Sequence, residues 1–156
     1  MNQSVAHAEL IACFRRAEVD ATHKFGLIKA VEKKGPKAIQ AAVEIREEGL
    51  FDPILIGPEA KIRAAAEKAG VALNGFEIIA VEHSHAAAAR GAELAAACKV
   101  STLMKGSLHS DELLGAVVAA GSGLRTERRI SHVYMMDVPA YSKLLAVTDA
   151  AINIAP

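Results

Sequence analysis

Lys105-Gly106-Ser107 is the segment of this 156-residue chain whose residue types best suit an anion. It stands between an apolar run (Ser101 to Met104) and a helical pattern opening near Ser110-Asp111. Free backbone N–H groups at a helix start attract anions, and glycine lets the main chain approach a ligand closely. Ser107 and Ser110 can donate or cap, and Lys105 adds positive charge. The segment is not a Walker A loop, which needs Gly-x-x-x-x-Gly-Lys-Ser/Thr. The competing reading is a capped βα turn with a solvated lysine, a common device in α/β folds.

Arg125, Arg128 and Arg129 form a second basic feature. A guanidinium binds phosphate or carboxylate through a planar fork. A solvated loop partly neutralised by Glu127 is the plainer alternative. His83, His85, His109 and His132 raise the question of a metal, but a firm site needs three or four ligands at a recognisable spacing. No carboxylate or cysteine cluster completes one, so no metal is expected. Gly121-Ser122-Gly123 follows a helical pattern, whereas a dinucleotide fingerprint follows a strand. No Gly-x-Ser-x-Gly nucleophile elbow is present. Cys98 falls late in a helical pattern on its apolar side, which predicts a buried, inert thiol.

The elements that must position these residues alternate. Ser4 to Ala17 has a helical period, with Leu10, Cys13, Phe14 and Ala17 on one face. Phe25 to Val31 reads as a short strand. Pro36 opens a helix with Ile39, Ala42 and Val43 inward, and Gly49 stops it. Pro53 to Ile56 is a strand. The next helix buries Ile62, Ala65, Ala66 and Ala69, and Gly70 closes it. Glu77 to Val81 is a strand. A helix capped by Ser84 then turns Ala87, Gly91, Leu94, Ala95 and Cys98 inward. Val100 to Met104 is the next strand, and Leu113, Ala116, Val117 and Ala120 line the helix after it. Such βα alternation predicts a three-layer α/β/α domain on a largely parallel sheet. The strand order is not readable. After Gly123 the pattern changes: His132 to Met136 and Leu144 to Val147 are joined by a loop with Pro139 and no helix, which predicts a hairpin or two strands near a sheet edge. Ligands in open α/β sheets bind beyond the strands' C-terminal ends. The turns at Gly57-Pro58, His83-Ser84-His85 and Lys105-Gly106-Ser107 lie there. An anion-holding crevice is therefore expected where the lysine turn meets the arginine segment.

Composition narrows the class. Lys and Arg number 18 against 18 Asp and Glu, so nothing electrostatic favours a nucleic acid or an anionic membrane as partner. Aromatics are only 4% while hydrophobic residues reach 52%, so the core must be aliphatic, with closely packed alanine-faced helices. Two cysteines far apart argue for reduced thiols in a cytoplasm over a disulfide scaffold. No run is long enough to span a membrane, and Met1 to Ala12 lacks the basic flank and apolar core of a signal peptide.

Three ordered blocks carry a resemblance. They are Leu103-Met-Lys-Gly-Ser-Leu-His-Ser-Asp-Glu-Leu-Leu114, Gly123-Leu-Arg-Thr-Glu-Arg-Arg-Ile-Ser-His-Val-Tyr-Met-Met-Asp-Val-Pro139 and Thr148-Asp-Ala-Ala-Ile-Asn-Ile-Ala-Pro156. With Pro53-Ile-Leu-Ile-Gly-Pro58 and His83-Ser-His-Ala86, they resemble the phosphate acetyl/butyryltransferases. The likeness is above all to the butyryltransferase-like branch, including the bifunctional enoyl-CoA hydratase/phosphate acetyltransferases. The resemblance runs from Leu50 to the end. It implies reversible transfer of an acyl group between CoA and orthophosphate, with acyl-CoA and phosphate as substrates and no metal or bound cofactor. It also implies an isocitrate/isopropylmalate dehydrogenase-like architecture of two α/β domains, with residues 1–156 as the first and the second absent, and a homodimer. Lys105, Gly106 and Ser107 would form part of the cleft floor. Arg125, Arg128, Arg129, Ser131 and His132 would contact phosphate or CoA. Asp149 and Asn153 would lie at the crossing between the domains. The family's Ser/Arg/Asp group that supplies the general base falls beyond Pro156, so a non-catalytic CoA- or phosphate-binding or dimerising fragment is the alternative. A hydratase is disfavoured by the repeated βα alternation, which does not fit an antiparallel sheet wrapped on one helix.

Overall fold

The computed structural model describes residues 24–28, 35–136 and 138–149. The predicted helix at Ser4 to Ala17, the end of the predicted strand after Ile28, and Asn153 lie outside these residues. The described chain forms two compact units, one up to Arg125 and one from Thr126.

The first unit alternates strand and helix: β1 (Lys24–Ile28), α1 (Gly35–Glu47), β2 (Asp52–Gly57), α2 (Glu59–Ala69), β3 (Glu77–Ala80), α3 (Ser84–Ala96), β4 (Thr102–Lys105) and α4 (Ser110–Val118). All four strands are parallel, in the order β3-β2-β1-β4. The chain builds outward from β1 to β3, then α3 carries it back across the sheet to β4 on the other side of β1. Ile28 and Lys105 are register partners at that junction.

Side chains along β2 alternate faces, as the pleat requires. Leu55 joins Ile39 and Ala42 of α1 and Ile62, Ala65 and Ala66 of α2 in one core cluster. Ile54 and Ile56 join Ala87, Ala88 and Leu94 of α3, with Val100 and Leu108, in the other. The sheet is therefore covered on both faces, and the expected three layers are present. Ile39, Leu55, Ile56 and Ile62 are all 0% exposed. Each such burial stabilises by about 1.5–3 kcal/mol relative to exposure. Ala87, Ala88, Gly91 and Ala92 give α3 a face of small residues, all buried, which allows close packing.

Three helices end in the same way. After α1, Leu50 N–H donates to the Ile45 carbonyl (3.0 Å) and Gly49 N–H to Arg46 (3.0 Å). After α2, Val71 reaches Ala66 (3.1 Å) and Gly70 reaches Glu67 (3.0 Å). After α3, Lys99 reaches Leu94 (2.8 Å) and Cys98 reaches Ala95 (3.0 Å). This paired closure places one residue in the left-handed region, usually glycine. Gly49 and Gly70 have φ 65° and 68°, and Cys98 has φ 53°. The expectation of a buried Cys98 is thus corrected: α3 stops at Ala96, and the thiol is exposed beyond it. Ser84 is likewise not the cap of α3. His83 is, and its Nδ1 accepts the Ala86 N–H at 3.1 Å.

The second unit contains the predicted hairpin. β5 (Val133–Met136) pairs antiparallel with β6 (Leu145–Thr148), Val133 opposite Thr148 and Met136 opposite Leu145. Tyr141 N–H donates to the Val138 carbonyl (2.8 Å) within the connecting loop. No residue of either strand is buried.

Candidate functional site

The strand order decides where a ligand would bind in the first unit. In a doubly wound sheet the crevice opens where successive connections run to opposite sides, at the strands' C-terminal ends. Here that point lies between β1 and β4, and Lys105 is the last residue of β4. The Lys105-Gly106-Ser107 turn therefore stands at the topological switch point.

The turn is tied down by its own chain. The Lys105 Nζ donates to the Leu108 carbonyl at 2.7 Å. Leu108 is 2% exposed and belongs to the second core cluster. An ammonium has three donors, so this bond leaves two N–H groups of Lys105 for a ligand. Gly106 and Ser107 are half-buried. Gly106 is not among the glycines with positive φ, so its backbone does not demand glycine there.

The start of α4 differs from the expected open anion site. Glu112, three residues into the helix, folds back, and its Oε2 accepts the His109 N–H at 3.1 Å. Its Oε1 accepts the Ser84 hydroxyl at 2.8 Å and lies 3.3 Å from His85 Nδ1. The start of α4 therefore carries a carboxylate of its own chain. The hydrogen bond from Ser84, opposed by burial and assisted by the His109 N–H, holds the Glu112 carboxyl below the ordinary carboxylate range.

Sequence reasoning did not single out Glu112. Half of the signal was present: Glu112 stands at the glutamate position of a capping box, but the first position holds His109 in place of the usual serine or threonine. The bond to Ser84, 28 residues away, has no local sequence signature.

Arg125 closes the first unit and is exposed. The other predicted contacts lie in the second unit. Arg128, Arg129 and Ser131 are exposed, and the Arg128 N–H donates to Thr126 Oγ1 at 3.2 Å. The ion pairs among the described residues are Arg46–Asp52, Arg63–Glu59, His85–Glu112 and Arg90–Glu93, and none involves Arg125, Arg128 or Arg129. His132 stacks edge-on against Tyr134, with ring centroids 4.1 Å apart. Its Nδ1 is buried without a hydrogen-bond partner among the described residues. The His132 carbonyl accepts the Asp149 N–H at 2.8 Å, one step beyond the ladder. Asp149 has φ 57°, which a short polar side chain tolerates. His132 and Asp149 thus sit together at the open end of the hairpin. Among the described residues no three His, Cys, Asp or Glu side chains converge to hold a metal ion.

No protein-family model matches the chain. Curated relatives do. A phosphate acetyltransferase of Rhizobium meliloti is 52% identical over 119 residues, covering 76% of this chain and 38% of that protein. This chain belongs to the phosphate acetyl/butyryltransferase family. A phosphate butyryltransferase of Clostridium acetobutylicum is 32% identical over 118 residues, 76% of this chain and 39% of that relative. The chain thus spans well under half the length of these relatives. In fold, a phosphotransacetylase from Streptococcus pyogenes superposes with a TM-score of 0.74 at 18% identity, over 99% of this chain and 54% of the other. A second phosphotransacetylase, from Staphylococcus aureus, gives 0.70 at 17% identity over 98% and 53%. The three-layer parallel-sheet unit is therefore a fold these phosphotransacetylase structures share. Among the described residues no helix is long and apolar enough to cross a membrane.

Proposed function

We propose that this chain supplies the phosphate- and CoA-binding side of an acyltransferase that moves an acyl group between CoA and orthophosphate. The observation that carries the reading is the 52% identity to a phosphate acetyltransferase, in a chain whose lysine turn stands at the switch point of a parallel sheet. In the forward direction a phosphate oxygen attacks the thioester carbonyl carbon. A tetrahedral oxyanion forms, the C–S bond breaks, and CoA leaves as thiolate while the acyl phosphate departs. The protein must hold an anionic phosphate against a carbonyl and steady the oxyanion. Lys105 supplies a fixed cation, and the backbone of Gly106 and Ser107 supplies close approach.

Arg125, Arg128, Arg129, Ser131, His132, Asp149 and Asn153 complete the proposed contacts to phosphate or CoA. A guanidinium fork suits both phosphate and the CoA diphosphate. The same reading takes the architecture as the first domain of an isocitrate/isopropylmalate dehydrogenase-like pair, and a second domain as the source of the general base. It needs neither metal nor bound cofactor, since CoA is a substrate, and it describes a cytoplasmic homo-oligomer with no nucleic-acid or membrane partner. The balanced charge is consistent with that description.

The test is direct. The purified 156-residue chain is assayed for acetyl or butyryl phosphate formation from the acyl-CoA and phosphate, with CoA binding measured by calorimetry. Turnover supports the full reading. CoA binding without turnover points to a binding module, and absence of both sinks the proposal.

A further inference from the structure

We propose that Glu112 is a positioning residue: its carboxylate fastens the β3–α3 turn to the β4–α4 turn and so holds Lys105, Gly106 and Ser107 in the form that takes the anion. What the turn binds rests on the acyl-transfer reading; the brace itself does not.

β3 and β4 are the two outer strands of the four-stranded sheet, so their following turns start from opposite edges. α3 crosses the sheet between them, and its first turn meets the first turn of α4. Glu112 is the link at that meeting. Capping α4 requires only the bond from the His109 N–H to Oε2 (3.1 Å). The bond from the Ser84 hydroxyl to Oε1 (2.8 Å) and the approach of His85 Nδ1 (3.3 Å) are additional and join separate helices. The Glu112 side chain is 12% exposed and His85 is 78% exposed, so the bond from Ser84 is the sheltered one of the two. The lowered carboxyl pKa follows from the same contacts.

With this bond the lysine turn is held at three successive places. Lys105 Nζ grips the Leu108 carbonyl, the Leu108 side chain is sunk in the core, and the His109 N–H is fixed on Glu112. Gly106 and Ser107 lie between the first and last of these anchors. Removing the last anchor takes away one of the holds that order the turn, and that part of the ordering cost is then met on binding. His83 supports the arrangement from the other side, since its Nδ1 caps α3 and fixes where Ser84 begins.

Ser84→Ala separates brace from cap, because it removes one link between the turns and leaves the bond from the His109 N–H in place. Hydrogen exchange at the amides of Gly106 to His109 should quicken in Ser84→Ala and more in Glu112→Ala, with β2 amides unchanged. Calorimetry with inorganic phosphate and with CoA should show phosphate affinity falling about 3–10-fold in Ser84→Ala and at least about 10-fold in Glu112→Ala, given the strength of hydrogen bonds to charged groups. Glu112→Gln keeps the length and one acceptor, so it should recover much of the loss. The unfolding midpoint of Ser84→Ala should stay near that of the parent chain. A purely structural role would lower that midpoint and leave the phosphate affinity of the folded protein unchanged, which overturns the proposal. Unchanged exchange at Gly106 to His109 in both variants also overturns it. Tighter phosphate binding in Glu112→Ala would show that the carboxylate merely blocks the site, and would overturn it too. A parent chain that binds neither ligand refutes the acyl-transfer reading, while the exchange data still decide the brace.

Discussion

The sheet unit and the hairpin unit are built on opposite principles. Strand β2 is apolar from Pro53 to Ile56 and buried there on both faces, with Leu55 and Ile56 0% exposed. Strand β5 is also apolar, yet Val133, Tyr134, Met135 and Met136 are all exposed, Val133 and Met135 at 52%. Two strands of similar composition therefore have different sources of order. β2 gains from parallel neighbours and helices on both sides. Among the described residues β5 has one antiparallel partner, and two-stranded hairpins are at best marginally stable in water. A hydrophobic run in sequence says that a segment is a strand and leaves open whether that strand has a core.

The largest expected effect breaks the stronger side of this contrast. Leu55→Ala should cost about 2–5 kcal/mol in urea denaturation, because it empties a fully packed position. Met135→Ala should fall within about 0.5 kcal/mol, as surface substitutions do. Equal losses at the two positions would refute the distinction.

The next effect concerns ligand binding. Lys105→Ala removes both the proposed ligand cation and the bond to Leu108, and should weaken phosphate binding by about 1.5–3 kcal/mol, read by calorimetry. Arg128 is exposed, so Arg128→Ala should change stability by no more than about 0.5 kcal/mol.

A smaller and stabilising effect is expected at Cys98. Glycine would relieve the left-handed backbone there, as Gly49 and Gly70 already do at the matching positions of α1 and α2. Relief of about 1–2 kcal/mol is offset in part by the entropy glycine adds to the unfolded chain. A thermal melt of Cys98→Gly should show a net gain of a few tenths to about 1 kcal/mol. A loss would mean that the thiol makes a contact of its own.

The smallest effect is the pH dependence of the brace. Glu112 has a folded pKa below its ordinary value of 4.5, so its contribution is complete above that value. The contribution is lost as the pH falls through the lowered folded value. The difference in unfolding free energy between the parent chain and Glu112→Gln should therefore narrow as the medium is acidified below pH 4.5. A difference that stays constant across that window would mean the bond from Ser84 does not form in solution.

Much of the sheet unit was legible from local signals. Gly49 and Gly70 marked helix ends, Pro53 to Ile56 marked the buried strand, and the βα alternation marked a parallel sheet. These depend on backbone preference and hydrophobic period, both local properties. The order β3-β2-β1-β4 was not legible, because it depends on which edge of the sheet α3 crosses to. Cys98 was misplaced because the apolar period continues past Ala96, while the backbone closes the helix with a turn any residue can enter at some cost. His83 displaced Ser84 as cap because an imidazole nitrogen can accept the same amide, leaving the hydroxyl for Glu112. In the site, the lysine turn was visible from its residue types. Its support by a carboxylate from the following helix and a hydroxyl from the preceding one was a tertiary fact.

The strand order also sets a timetable. β1 meets β2 and β2 meets β3 through short connections, so those pairings close cheaply as the polypeptide collapses. β1 meets β4 only after the chain has run through three helices and two strands. The seam holding Ile28 beside Lys105 thus closes the longest loop in this sheet, and the rim that carries the lysine turn carries the largest closure cost of its three pairings.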